Sequence, residues 1–155
     1  MNNMPNLKYY SFAHCYLSPL HAAIQTTHAV ANLFVSPTPE FLNTAHLWVQ
    51  QGSTLVILNG GSSKRLSVIE ELAREQSAYP YTYFFESSMD GMLTTVGIIL
   101  PEKIWFTAER IRHKEINLEE FSTTKTLSLP GGIEYKFTEN EYQWVMLLVE
   151  ARLFV

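Results

Sequence analysis

Residues 7–31, LKYYSFAHCYLSPLHAAIQTTHAVA, decide the fold, because their hydrophobic period changes halfway along. Up to Leu17 the stretch is rich in aromatics and reads as a buried strand. Ser18-Pro19 then offers a helix N-cap followed by proline at the first helical position, where its missing N–H costs nothing. Beyond it Leu20, Ala23, Ile24, Thr27, Ala31 and Phe34 recur at helical spacing, and this set is expected to face the core. A strand that runs straight into an amphipathic helix is the opening of an α/β layer.

Working outward, the helix should break at SPTPE, residues 36–40, where two prolines stand close together. A second helix is expected from Pro39 to Gln51, with Phe41, Leu42, Ala45, Trp48 and Val49 inward and Gly52 as its stop. Residues 54–58, TLVIL, form a short all-apolar strand of the kind covered on both faces. NGGSSK leads into a helix over 64–76 that turns Ile69, Leu72 and Ala73 inward. Pro80 opens a strand of alternating aromatics ending at Glu86. After the turn SSMDGM, residues 93–100 make a further strand, closed by Pro101. The order β-α-α-β-α-β-β favours a mixed β-sheet with helices on both faces.

The remainder is less regular. Residues 104–121 are expected to be partly helical. Pro130-Gly131-Gly132 signals a hairpin between TLSL and IEYKF. Thr138-x-x-Glu141 is a capping box; it opens a last helix with Tyr142, Val145, Met146, Val149 and Leu153 inward. The expectation is one α/β domain over 1–155, with a core at 7–101 and a hairpin-plus-helix elaboration at 102–155.

Composition narrows the function classes. With 46% apolar and 17% charged residues over 155 positions, the chain has the makings of one packed core rather than a disordered segment. No apolar run approaches the about 18 residues of a membrane span, and MNNMPNLK carries no signal-peptide pattern. One cysteine, Cys15, excludes a disulfide framework. A cytoplasmic protein without a membrane partner is expected. The net charge of −4 argues against holding long nucleic acid by charge alone. It leaves room for a small nucleotide or an RNA end in a local pocket.

Ser18-Pro-Leu-His-Ala-Ala-Ile-Gln25-Thr-Thr-His28-Ala resembles the first-helix motif of the archaeal/eukaryotic type of peptidyl-tRNA hydrolase. There a turn ending in Gly-Lys is followed by Ala-Ala-Gln, two more residues and His-Ala; Gln25 and His28 stand at the matching positions. Trp48 and Gly52 before the second strand, and Thr95–Pro101 as a closing strand, fit in order, so the resemblance spans residues 7–101. It implies the type II hydrolase fold, a dimer, and a site for the 3′ end of tRNA. The departures bear on chemistry. The family's catalytic lysine falls on His21, and its Asp-Ala-Gly-Arg-Thr stretch falls near YFFESS, where Glu86 is the only acid and no arginine stands. Hydrolysis of the ester needs a fixed positive charge and acid/base groups, and an imidazole is not a fixed charge at neutral pH.

The candidate residues are therefore His21 and Glu86 as a catalytic pair, and Ser18, Gln25, His28, Gly60, Gly61, Ser63 and Lys64 as ligand contacts. Gly60 to Lys64 lie between a strand and a helix, where free backbone N–H groups and glycines suit an anion. The same loop also reads as an ordinary βα connection with Ser63 as N-cap. His14, His21 and His28 are spaced by sevens, about 10 Å apart along a helix, too far to share a metal. No metal and no cofactor are expected. Tyr79, Tyr81, Tyr83, Phe84 and Phe85 could stack a base or simply pack. Arg110, Arg112, His113 and Lys114 form a basic cluster that reads as a solvated helix face.

Three functions compete. The first is a catalytically degenerate hydrolase-like binding protein that sequesters or senses a small nucleotide or a tRNA 3′ end. The second is an active hydrolase using His21 and Glu86. The third is a homodimeric adaptor with an aromatic surface.

Overall fold

The computed structural model describes residues 6–35, 38–76 and 78–155. The chain is α/β. Its elements are β1 (Leu7–His14), α1 (Pro19–Leu33), α2 (Pro39–Gln50), β2 (Leu55–Gly61), α3 (Ser63–Gln76), β3 (Tyr81–Glu86) and β4 (Met92–Pro101). After these come α4 (Glu102–Arg112), α5 (Leu118–Thr124), β5 (Thr126–Leu129), β6 (Ile133–Lys136) and α6 (Glu139–Glu150). The break expected at SPTPE lies partly outside the described residues, at 36 and 37. The described residues form two compact units, one holding those up to Leu100 together with Ala151–Val155, the other Pro101–Glu150.

In the first unit four strands make one mixed sheet in the order β2-β1-β4-β3. β1 and β2 are parallel, and β3 and β4 are antiparallel. Successive side chains of β1 point to opposite faces. Tyr9 packs its ring on Trp48 of α2, and Ser11 bonds Thr26 of α1. His14 meets Ser63 of α3. Thus α1 and α2 cover one face and α3 the other. On the first face Leu7, Tyr9, Leu33, Ala45, Trp48 and Ile99 form one buried cluster. The outer edge of β2 is covered by the chain's last residues: Asn59 N–H donates to the Arg152 carbonyl, and Phe154 N–H to the Ile57 carbonyl.

The structure corrects the sequence reading of α1. Its buried residues are Ala22, Gln25, Thr26, Ala29 and Leu33, while Leu20, Ile24 and Phe34 are exposed. The buried stripe is one of small and polar residues. Ala22 and Ala29 let the helix lie close to the sheet. Thr26 is satisfied by Ser11 at 2.7 Å, so its burial is not penalised. β1 ends at His14 rather than Leu17, because residues 15–17 turn, with Leu17 N–H donating to the His14 carbonyl. β2 runs on to Gly61 instead of stopping at Leu58, since its ladder with β1 continues through Asn59 and Gly61.

The second unit packs α4 against α6. The capping box closes as expected: Glu141 N–H donates to Thr138 Oγ1 at 3.2 Å, and Thr138 N–H to Glu141 Oε2 at 2.9 Å. Lys103 pairs with the same carboxylate at 2.7 Å and lies over the Phe137 ring. β5 and β6 form the expected hairpin. The inward face of α6 is Asn140, Trp144, Val145 and Leu148. Leu153, read from sequence as part of that face, lies beyond the helix and bridges to Leu58. Among the described residues no helix is long and apolar enough to cross a membrane.

Candidate functional site

The helix α1 and the strand β3 run past each other in opposite directions. Gln25 meets Glu86, His28 stacks on Phe84 at 4.6 Å between ring centres, and Asn32 reaches the Tyr83 carbonyl. The start of α1 therefore lies beside the end of β3. An open cavity of about 340 Å³ sits there, lined by Tyr16, Leu17, His21, Gln25, Glu86, Ser88 and Met89. His21, Gln25 and Glu86, which are 65 positions apart at the extremes, share this one cavity.

Glu86 is held from two sides. The Gln25 amide donates to Oε2 at 2.9 Å, and the Ser88 N–H donates to Oε1 at 3.0 Å. The second bond makes Glu86 the cap of a short 3-10 turn, Ser87–Met89. The Gln25 bond, and after it the Ser88 bonds, hold the carboxyl below its ordinary pKa. It is thus a carboxylate at neutral pH.

Gln25 is buried, and its other end is occupied as well. Thr94 Oγ1 donates to Gln25 Oε1 at 2.9 Å, sharing its proton with the Phe84 carbonyl at 3.1 Å. This reach comes from a β-bulge. Phe84 pairs with Thr95 and Phe85 with Leu93, so Thr94 is the extra residue. A bulge re-aims a side chain that a regular ladder would send to the opposite face. The result is a continuous relay Thr94–Gln25–Glu86–Ser88.

His21 sits on the first turn of α1. The Ser18 hydroxyl oxygen accepts the His21 N–H at 3.2 Å, as an N-cap does, and also contacts His21 Nδ1 at 3.1 Å. Among the described residues the Nε2 side of the ring has no hydrogen-bond partner.

The glycine-rich loop stands apart from this cavity. Gly60, Gly61, Ser63 and Lys64 do not line it. Parallel pairing of β1 and β2 puts the loops after both strands at the same end, and Cys15 N–H donates to the Gly61 carbonyl. Yet the loop is used internally. A Cβ on Gly60 would come within 2.5 Å of Leu66 Cδ2 and 3.0 Å of the Phe12 backbone. Glycine is required there for α3 to pack. The Gly61 N–H is taken by Asn59 Oδ1 at 2.9 Å. Ser63 is the first residue of α3 rather than its cap; the Ser62 carbonyl accepts from Leu66 N–H. Lys64 is exposed.

Ser63 also contacts a histidine, with His14 Nε2 at 3.0 Å. This is not a nucleophile and its base. His14 Nδ1 accepts the Tyr16 N–H at 3.2 Å and so carries no proton. Burial pushes the His14 pKa down and keeps the ring neutral. Its one proton is then on Nε2, which donates to Ser63 and cannot take the serine's proton.

The sequence points to the start of α1, the NGGSSK loop and the turn at 86–91, but it singles out none of Tyr16, Leu17, Ser88, Met89 and Thr94. The first four lie in turns, where periodicity carries no signal. Among the described residues no group of three or more His, Cys, Asp or Glu side chains converges on a point that could hold a metal. No protein-family model matches the chain, and no curated protein matches it.

Proposed function

We propose that the chain is a binding protein for the 3′ end of an RNA, of the tRNA type, built on a hydrolase-like α/β layer without the hydrolase's full chemistry. One observation carries this reading. The cavity at the start of α1 holds an ionised, doubly anchored Glu86 and has no lysine or arginine among its lining residues. A carboxylate accepts hydrogen bonds from ribose hydroxyls, as acidic residues do in dinucleotide sites. It repels a phosphate. Between the two ligands that the sequence suggests, a phosphate-led small nucleotide and an RNA 3′ end, the second fits better, because its terminal ribose carries free hydroxyls. The Tyr16 and Met89 side chains supply an apolar wall for a base.

The lack of a fixed cation also argues against efficient ester hydrolysis, which has to stabilise a developing oxyanion. The competing reading, an active hydrolase, draws its support from His21 and Glu86 lining the same cavity. Two measurements separate them. A short RNA ending in CCA with a free 3′ hydroxyl should bind in fluorescence anisotropy, and its 3′-phosphorylated form should bind more weakly. Glu86→Ala should remove the difference. In parallel, an N-acetylaminoacyl-RNA should remain intact over many minutes. Hydrolysis that disappears in His21→Ala would overturn the binding reading in favour of the enzyme.

A further inference from the structure

The same carboxylate has acceptor capacity to spare. An ionised glutamate offers about four lone-pair positions. The Gln25 amide and the Ser88 N–H take one on each oxygen, and the Ser88 side chain adds to them. About one position is left on this carboxylate, which lines the cavity. Around it stand Tyr16, 86% exposed, Leu17 and Met89, and no lysine or arginine is among the lining residues. On α1 Leu20 and Ile24 are exposed as well. The charge of Glu86 is thus fixed by protein donors, with His28 nearby adding a favourable charge, but no lysine or arginine of the cavity pairs with it. A compact ammonium bonded to the open position would supply the missing charge, and the projecting Tyr16 ring can flank it through its π face.

We propose that this cavity selects a ligand bearing a free primary ammonium, placed by an ion pair to Glu86 with Tyr16 beside it. The inference rests on the RNA-end reading for the rest of the ligand: the class it names is an RNA 3′ end esterified by an amino acid, whose unblocked α-ammonium takes the position on Glu86 that a free 3′ hydroxyl takes in the unesterified end. A blocked, peptidyl-type amide at the same point is neutral and offers a single N–H, so it forfeits the ion pair. The cavity then discriminates on charge at the amino group rather than on the identity of the amino-acid side chain.

The test uses the whole chain and two non-hydrolysable probes in calorimetry: 3′-(L-alanylamino)-3′-deoxyadenosine and its N-acetyl derivative. The free-ammonium probe should bind tighter by about tenfold or more, the size of a charge-assisted hydrogen bond. In Glu86→Gln, which removes the charge and keeps one of the two acceptor oxygens, the two probes should bind alike, with circular dichroism confirming the fold. Equal binding by the natural chain, or tighter binding of the acetylated probe, overturns the inference and leaves the RNA-end reading standing. If neither probe binds, the RNA-end reading fails, and benzylammonium against benzyl alcohol decides the inference alone. Amide shifts at Gln25 and Ser88 with benzylammonium only would uphold it. The same response to both, or to neither, would overturn it.

Discussion

The Thr94 hydroxyl is aimed at the side-chain carbonyl of Gln25, 2.9 Å away, and that bond decides which end of the amide faces Glu86. With the carbonyl occupied, the amide nitrogen is the end left to meet the carboxylate. Thr94→Val keeps the volume and deletes the donor. It leaves the buried Gln25 Oε1 without its donor and removes one bond to the Phe84 carbonyl. The expected loss is about 1–3 kcal/mol of stability in urea denaturation. Ligand affinity should fall further than Thr94→Ser, which retains the hydroxyl. Equal affinities for the two variants would remove Thr94 from the relay.

Gly97 cannot be replaced without disturbing Tyr9. A Cβ there would lie 1.7 Å from the Tyr9 hydroxyl oxygen and 2.2 Å from its ring. The ring is fully buried and fixed by its bond to Thr82 at 3.0 Å. Gly97→Ala should therefore cost at least about 1–3 kcal/mol, the range for an overpacked core. Combining it with Tyr9→Leu should cost less than the sum of the single changes. Additive losses in a denaturation cycle would show that the clash is relieved elsewhere.

Acid should weaken the fold in two stages. His14 is kept neutral by burial and its folded pKa lies below the ordinary value. As pH falls through about 6.5 the unfolded chain takes up a proton that the fold resists, so stability declines below that point. The anchored Glu86, whose folded pKa is also lowered, contributes stability above about 4.3, lost as pH falls through its folded value. Thermal melts from pH 8 to pH 3 should show both stages, and His14→Gln should flatten the upper one. An upper stage that persists in His14→Gln would assign it to another group.

A dimer is the assembly we propose. β3 is the end strand of its sheet; it carries no lysine, arginine or proline, and Tyr83 and Phe85 are exposed on it in edge-to-face contact. An aromatic edge without lysine or proline can template pairing with another chain. Light scattering at micromolar concentration should give about twice the chain mass, reduced to one chain by Phe85→Lys. A single-chain mass for the natural protein would remove the proposal.

Much of the layer was legible because the period of the sequence changes where the elements change. Leu7–His14 followed by Ser18-Pro19, and Thr138 with Glu141, each carry a local physical signature. The face of α1 was not legible, because that helix bears a second stripe. Leu20 and Ile24 look like core, whereas Gln25 and Thr26 look like surface. Their satisfying partners, Thr94 and Ser11, are distant in sequence. Gly60 and Gly61 drew attention as an anion loop because a loop glycine required for packing looks the same in sequence as one required for a ligand. Glu86 could be named as the lone acid near its place, but the donors that anchor it depend on a ladder irregularity that no residue type announces.

That irregularity gives the site an unusual genetic fragility. The cavity's wiring depends on a count, since β4 has one residue more than β3 needs between the Phe84 and Phe85 pairings. Deleting Thr94 would restore an even ladder and make a more regular sheet, yet it would disconnect the amide from its donor. The same deletion would also leave the buried Gln25 carbonyl without its donor, so the gain in regularity is offset by an unpaired amide. A change of length here should therefore cut Gln25 off from Thr94 and weaken ligand binding and the fold together.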